Sequence, residues 1–235
     1  MRLCIDLHNH SCLSPCGSDL LLPSVLAMEA ADKGIDMVAL TDHNSARNLT
    51  AFAEACEIIG IVGVFGIEVT TLEEIHVLAL FETLAQGLAF GTWIESLLPP
   101  IKNTPRFFGD QYVCDVAGNR IDEIDLFLYG PADVAYDDLI EIIIAQDGLA
   151  IPAHIDRPAN SVTAHLGFLP RLSYSAVESI VIPPVVETFD YTVIQGSDAH
   201  YLEHVGRRRC FVESTQSNFA GLREALLHNT ISFMA

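Results

Sequence analysis

Short apolar runs that end in a histidine, aspartate or glutamate recur along this chain, and helical spacing fills the intervals between them. The first run, Leu3 to Leu7, reads as a strand and leads into Asp6-Leu7-His8-Asn9-His10-Ser11. Residues i and i+2 of a strand face the same way, so His8 and His10 converge where strand gives way to loop. Met37-Val38-Ala39-Leu40 predicts a short buried strand ending in Thr41-Asp42-His43-Asn44, and Ile61 to Ile67 a third ending at Glu68. Ile75 to Phe81 predicts a fourth, with His76 near its beginning. Leu149 to Ala153 leads into His154, and Val177 to Ile182 is a further strand. Tyr191 to Gln195 leads through Gly196-Ser197 to Asp198-Ala199-His200, and Phe211-Val212 is the last short strand.

Pro23-Ser24 opens a helix to about Lys33, stopped by Gly34. Ser45 is a candidate N-cap for a helix from Ala46 to about Ile59, closed by Gly60. Leu84 to Leu98 ends at Pro99-Pro100, Pro131 to Gln146 stops at Gly148, and Phe219 to His228 is the last helix. The segment 101–120 is irregular, with a candidate hairpin at Ala117-Gly118-Asn119. Strands alternating with helices predict parallel βα units, and the polar residues sit mostly at strand C-termini, where barrels build active sites. A single distorted (β/α) barrel fits better than an open doubly wound sheet. No GxGxxG or P-loop turn follows any strand, so the nucleotide-binding versions of the open sheet lack support.

The length of 235 residues, 50% of them hydrophobic, suits one large α/β domain spanning 1–235. Lys+Arg 12 against Asp+Glu 31 gives a net charge of −19. That balance argues against a long nucleic-acid footprint, so extended nucleic acid is not expected as a partner, while a short or mononucleotide-sized substrate stays open. The only basic cluster is Arg207-Arg208-Arg209. Cys4, Cys56 and Cys210 read as buried thiols. Cys12-x-x-x-Cys16 lies in the loop after the histidine pair, either as ordinary loop thiols or with a metal-proximal or redox role. With no signal segment and no apolar run of ~18 residues, the expected compartment is the cytoplasm, with no membrane partner. The oligomeric state is not legible.

Together, His8, His10, Asp19, His43, Glu68, His76, His154, Asp198 and His200 form a candidate ligand set supplied by separate strand ends. Nitrogen and carboxylate donors of this kind suit Zn, Mn or Fe, and nine are enough for two or three divalent ions. Glu68, following a buried strand, is the best placed carboxylate to bridge. Paired ions lower the pKa of a shared water and clamp attacking and leaving oxygens, which is hydrolytic chemistry.

Asp-Leu-His8-Asn-His10-Ser, Thr-Asp-His43-Asn, Glu68, His76, His154 and Gly-Ser-Asp198-Ala-His200 resemble the PHP (polymerase and histidinol phosphatase) family, in the family's motif order from Asp6 to His200. The resemblance implies a distorted (β/α)7 TIM-like barrel, a trinuclear site at the C-terminal ends of the strands, and phosphoester hydrolysis by a metal-bound hydroxide. It makes the nine residues above the ligands, with Glu68 the bridge. The family often has Asp or His in a Ser-Asp-Gly context where this chain has Ser18-Asp19-Leu20. The insertion Pro15-Cys16-Gly17 makes Cys16 the alternative to Asp19 at the third metal, and Asp19 is preferred.

Arg157, in His-Ile-Asp-Arg-Pro, is the candidate phosphate clamp, because a guanidinium matches a phosphoryl group with two parallel hydrogen bonds. The plainer reading is a surface arginine paired with Asp156 or a glutamate. Arg207 and Arg208 are further candidate substrate contacts. Asp42 and Asp156 adjoin ligands and are candidates to orient imidazoles. Residues 99–121 read as a lid or specificity insertion. The expected function is a metal-dependent phosphoesterase acting on a small phosphorylated metabolite or nucleotide. The alternatives are a phosphodiesterase or exonuclease on short nucleic acid, and a metal-stabilised interaction module without catalysis. An amidohydrolase bridged by a carboxylated lysine ranks low, since Lys33 and Lys102 are the only lysines and neither is on a strand.

Overall fold

Leu3, Ile5 and Leu7 bury one side of the first strand and Cys4 the other, and the same double burial repeats along the sheet. In the computed structural model, which describes residues 1–233, the chain runs through β1 (Arg2–Asp6), α1 (Pro23–Asp32), β2 (Met37–Leu40), α2 (Leu49–Ile59), β3 (Val62–Thr70) and β4 (His76–Phe81). It continues through α3 (Leu84–Leu97), α4 (Pro105–Phe108), β5 (Tyr112–Cys114), β6 (Arg120–Glu123), α5 (Tyr136–Ala145) and β7 (Leu149–Pro152). The last elements are α6 (Val162–Leu166), β8 (Val177–Glu178), β9 (Val193–Ile194), β10 (Cys210–Glu213), α7 (Phe219–Leu227) and β11 (Ile231–Phe233).

Seven strands form one curled sheet in the order β11-β10-β1-β2-β3-β4-β7, a half-barrel. On β4, Val77, Ala79 and Phe81 pack with the helices while Leu78 and Leu80 face an inner cluster with Ile5, Val64 and Ile151. Alternate residues of a strand must diverge in this way, and a sheet covered on both faces reads as a continuous apolar run. Helix α7 adds Phe219, Leu222 and Leu226 to the inner cluster. The β8–β9 pair stands between the two sides of the curl. Ser175 N donates to Ala150 O (2.9 Å) and Ile155 N to Glu178 O (2.8 Å) on one side. On the other, Asn9 bridges Ala199, and Asp198 N donates to His8 O (2.8 Å).

The expectation of uniformly parallel βα units, and of a regular (β/α)7 repeat, gives way to a mixed sheet. β1, β2 and β3 are parallel, but β4 is antiparallel to both β3 and β7, and β10 is antiparallel to β1. The reason is connection length: only Thr71–Ile75 separates β3 from β4, and a parallel crossover needs a dozen residues or more. This reversal explains why His76 begins its strand. Thr70 pairs with His76, so the start of β4 lies at the same end of the sheet as the end of β3.

Helix boundaries follow the caps. Gly60 closes α2 in the left-handed conformation with φ 83, and Thr83 with Gln86 forms a capping box on α3. Ser45 does not cap α2; its hydroxyl donates to Glu95 Oε1 at 2.6 Å, and the helix starts later, after Asn48. Likewise α5 begins at Tyr136 rather than Pro131, because Ala132 N donates to Thr70 O (2.9 Å) and keeps the preceding residues out of the helix.

Candidate metal centre

Eight of the nine candidate ligands come to one place, at the end of the sheet where β1, β2, β3 and β7 finish and β4 begins. Glu68 is its middle. Its carboxylate oxygens lie 3.2 Å from His8 Nε2, 3.2 Å from His10 Nε2, 3.0 Å from His43 Nδ1, 2.8 Å from His76 Nδ1 and 3.1 Å from His154 Nε2. Asp198 adds a second carboxylate, 3.6 Å from His8 Nε2 and 3.4 Å from His10 Nε2. His200 lies against His10 with ring centroids 4.1 Å apart and the rings tilted by 31°. His154 and Asp198 hold positive φ values of 32 and 48, a conformation that costs a non-glycine residue about 1–3 kcal/mol and that persists mainly where function uses it.

The groups behind these imidazoles decide which nitrogen faces inward. Glu178, on β8, accepts from His8 Nδ1 at 2.9 Å and from the His154 backbone N–H at 2.8 Å. Ser14 Oγ donates to Asp42 Oδ1 (2.7 Å), so its only hydrogen is committed and it accepts from His10 Nδ1 (2.9 Å). Both histidines therefore carry a proton on the outer nitrogen, and their inner Nε2 atoms, 3.3 Å apart, turn toward Glu68, where a bound cation would take the place of a proton. Gly196 allows this closeness, since a Cβ there would collide with the Glu178 carboxylate and His8. Asp42 thus orients His10 through Ser14, as its position next to His43 suggested only in part. Asp156 does not orient His154; it accepts from Ile180 N and Val181 N (both 2.8 Å) and shapes the loop after β8.

Electrostatics follow from burial. Burial pushes the Glu68 carboxyl up, but the imidazoles of His76, His8 and His43 more than reverse this and hold it well below its ordinary value. Burial pulls His10 down, and contacts with Asp198 and Glu68 outweigh it, raising His10 to about 9. His200 is lowered to about 3 by burial and by the neighbouring His10. His43 Nδ1, Glu68 Oε2, His76 Nε2, His154 Nδ1 and Asp198 Oδ1 are all buried with no hydrogen-bond partner. Unpaired buried donors and acceptors are costly; His43 Nδ1, Glu68 Oε2 and Asp198 Oδ1 lie at the centre, where a cation would satisfy them, while His76 Nε2 and His154 Nδ1 are the ring nitrogens turned away from Glu68. Three overlapping groups have donor atoms within 4.8 Å of one another: His8 with His10, Glu68 and Asp198; His43 with Glu68 and His76; and His10 with His43 and His200.

Asp19, the ninth candidate, is not brought in. It is half-exposed, with Oδ2 3.6 Å from the Arg120 guanidinium. Cys16 stands at the cluster instead, with Sγ 3.0 Å from His200 Nε2. A cleft of about 270 Å³ opens over the centre, lined by Cys16, His43, His76, Tyr129, Arg157, Asp198, His200, Tyr201, His204 and Arg207. Arg157 Nη1 donates to Asp198 Oδ2 at 3.1 Å, which makes Asp198, rather than Asp156, its partner. Arg207 lines the cleft while its guanidinium donates to Ser197 O (2.7 Å); Arg208 is outside the lining. None of residues 99–121 lines it. Glu178, Ser14, Tyr129 and His204 were missed as site residues. Of these, Glu178 carried a signal, a lone carboxylate inside an apolar run, whereas Tyr129 sits in an irregular segment and His204 in a single 3-10 turn (Leu202–His204), with none. Among the described residues no helix is long and apolar enough to cross a membrane.

Comparison with known proteins adds an independent line. Residues 6–162, well over half the chain, match the PHP domain. Phosphoribosyl 1,2-cyclic phosphate 1,2-diphosphodiesterase of Eggerthella lenta is 36% identical over 80 residues, covering 32% of this chain and only 29% of that protein. In fold, the chain is similar over 100% of its length to the lesion-specific endonuclease EndoQ of Pyrococcus furiosus (TM-score 0.67, 18% identity), of which it spans 58%. A second Endonuclease Q structure, matched with TM-score 0.69 at 18% identity over 100% of this chain and 59% of its own, holds a 27-mer duplex substrate with an abasic lesion at the active site. A two-domain protein of Bacteroides vulgatus containing a predicted PHP-like metal-dependent phosphoesterase matches with TM-score 0.59 and 18% identity, over 98% of this chain and 64% of its own. The expectation that extended nucleic acid is an unlikely partner is overturned by the duplex complex. Net charge is a whole-chain quantity, whereas phosphate contacts depend on local cations, and here Arg157 and Arg207 stand at the cleft.

Proposed function

We infer what this chain does from the family to which it belongs, the PHP domain family, and from the chemistry gathered at its cleft. The reading is a metal-dependent phosphoesterase. The observation that carries it is Glu68, one buried carboxylate within 3.2 Å of five imidazoles, beside a cleft lined by Arg157. His8, His10, His43, Glu68, His76, His154, Asp198 and His200 would hold two or three divalent ions, with Glu68 shared between them. Such ions, when bound, supply Lewis acidity toward water and toward phosphoryl oxygens.

The protein's own groups do the rest. Glu178 and the Asp42–Ser14 pair fix the tautomers of His8 and His10, so those ligands need no reorganisation. Arg157, more than a third exposed and tethered to Asp198, has guanidinium N–H groups left to receive a phosphoryl oxygen. Arg207 adds positive charge at the same cleft. In this reading residues 1–235 act as one domain, and the β8–β9 pair completes the wall of a distorted barrel. Residues 99–121 bear on specificity through an aromatic path: Phe108 lies 4.5 Å from Phe127, and Phe127 6.5 Å from Tyr129 at the cleft.

The substrate is a phosphate ester of a small metabolite or nucleotide. A second reading, diester cleavage in a nucleic-acid strand, is favoured by the fold shared with Endonuclease Q. Metal content and hydrolysis of a panel of phosphomonoesters and diesters, for wild type and His8→Ala, test both. Two or three metals per chain with monoester turnover, lost in the variant, is the expected result. Turnover of diesters alone moves the assignment to the strand-cleaving reading. Bound metal without turnover of either class overturns the phosphoesterase.

A further inference from the structure

The outer position of the centre, bounded by His10, His43 and His200, lacks the oxygen donor that Asp19 was expected to supply. We propose that Cys16 takes that place as a thiolate ligand, so that one ion of this centre is bound by sulfur and nitrogen. The inference rests on the metal-centre reading above and concerns one ligand within it.

Three observations carry it. Cys16 Sγ is 3.0 Å from His200 Nε2, and both residues line the cleft. Independently of the cysteine, His10, His43 and His200 place donor nitrogens within 4.8 Å of one another, and His43 Nδ1, on a side chain 2% exposed, is buried without a hydrogen-bond partner. It lies 3.0 Å from Glu68 Oε2 in an orientation that makes no hydrogen bond, so its lone pair is open to an ion. Third, the loop is tied to the residue it would join in ligation: Ser18 N donates to His200 O (2.8 Å), and Gly17 N to Ser14 O (2.8 Å). Gly17 is needed in that turn, since a Cβ there would come within 2.7 Å of Ser11 O. Cys12 faces elsewhere, with Sγ 3.5 Å from Cys114 Sγ.

Three imidazoles and one thiolate make a four-donor set of the kind zinc takes, and a soft donor shifts choice away from manganese. The thiol gives its proton to solvent as the sulfur–metal bond forms, so loading releases one proton more than a carboxylate ligand would.

The test uses the full chain, stripped and reloaded without oxygen. With Co2+, the wild type is expected to show a near-ultraviolet thiolate-to-cobalt charge-transfer band, kept in Cys12→Ser and lost in Cys16→Ser. With Zn2+, X-ray absorption is expected to show a sulfur neighbour at about 2.3 Å, at a fraction of one sulfur per zinc. A measurement that needs no variant is iodoacetamide labelling of the wild type read by mass spectrometry, in which Zn2+ protects Cys16 and a chelator exposes it. Metal bound with no charge-transfer band and no sulfur neighbour overturns this assignment alone. Equal labelling of Cys16 with and without bound Zn2+ also overturns it. No metal bound at all overturns the metal centre and this ligand with it.

Discussion

The floor and the rim of the cleft are built by different means. On the floor, Glu68, His8, His10, His76 and His154 are fully buried, come from strands or their immediate ends, and are held from behind by Glu178, Ser14 and Asp42. On the rim, Cys16, His200, Asp198, Arg157 and Arg207 come from loops and are partly open to solvent. A floor of this kind fixes where charge is placed before any substrate arrives, and it does so with groups that have few alternatives. The rim has alternatives, and there the identity of a donor can change without the fold changing. The contrast assigns metal retention to the floor and choice of substrate and metal to the rim.

The largest expected effect is at the middle of the floor. Glu68→Gln keeps the shape but removes the charge that five imidazoles face, leaving a neutral amide with one oxygen acceptor and an NH2 that cannot bind a cation. Metal content should fall well below wild type and hydrolysis should drop to background, read by elemental analysis and phosphate release on the same sample. A variant that keeps its metals and its turnover would show that Glu68 is not the shared ligand. Behind the floor the effect should be smaller. Glu178→Gln keeps the one oxygen that accepts from both His8 Nδ1 and the His154 N–H but loses the charge between them, and is expected to weaken metal affinity or activity about 10–100-fold. A chelator titration in parallel with the wild type measures it, and equal midpoints would deny Glu178 its positioning role.

At the rim the split should reverse. Arg157→Ala is expected to leave metal content unchanged while lowering kcat/KM roughly ten- to a hundredfold, the value of about 1.5–3 kcal/mol for hydrogen bonds to a charged group. Arg157→Lys should recover only part of this, because an ammonium offers charge without the planar fork. Loss of metal in Arg157→Ala would mean that its bond to Asp198 serves the floor and that the two regions are not separable in this way.

That division also governs how much could be read from the chain beforehand. Floor residues are legible because a strand has a fixed period and a visible end: the buried run Met37–Leu40 announces His43, and Leu149–Pro152 announces His154. Even so, strand direction was misread, since nothing in the apolar pattern of Ile75–Phe81 distinguishes a returning strand from a parallel one. Only the five-residue connection Thr71–Ile75 does. Rim residues have no period. Asp19 and Cys16 are three positions apart in one loop, and the turn held by Gly17 and by the Ser18–His200 hydrogen bond decides which of them faces the centre. Tyr129 reaches the cleft because Asn44 Nδ2 donates to Leu128 O (2.7 Å) and Gly130 O (2.8 Å), a contact between residues 84 or more positions apart.

The smallest effect is expected at Asp19, and it is the one that most sharpens the comparison. Its carboxylate faces Arg120 at 3.6 Å with both side chains about half-exposed, 43% and 50%. An exposed pair of this kind contributes at most about 1 kcal/mol. Asp19→Asn should therefore leave metal content and turnover within about twofold of wild type and shift thermal unfolding only slightly, while Cys16→Ser in the same assay changes the metal preference. If the order is reversed, with metal lost in Asp19→Asn and retained unchanged in Cys16→Ser, the loop between His10 and Pro23 must rearrange when ions bind. The rim would then be a region that forms its ligand set on loading, whereas the floor, held by Glu178 and Ser14, is already in place without it.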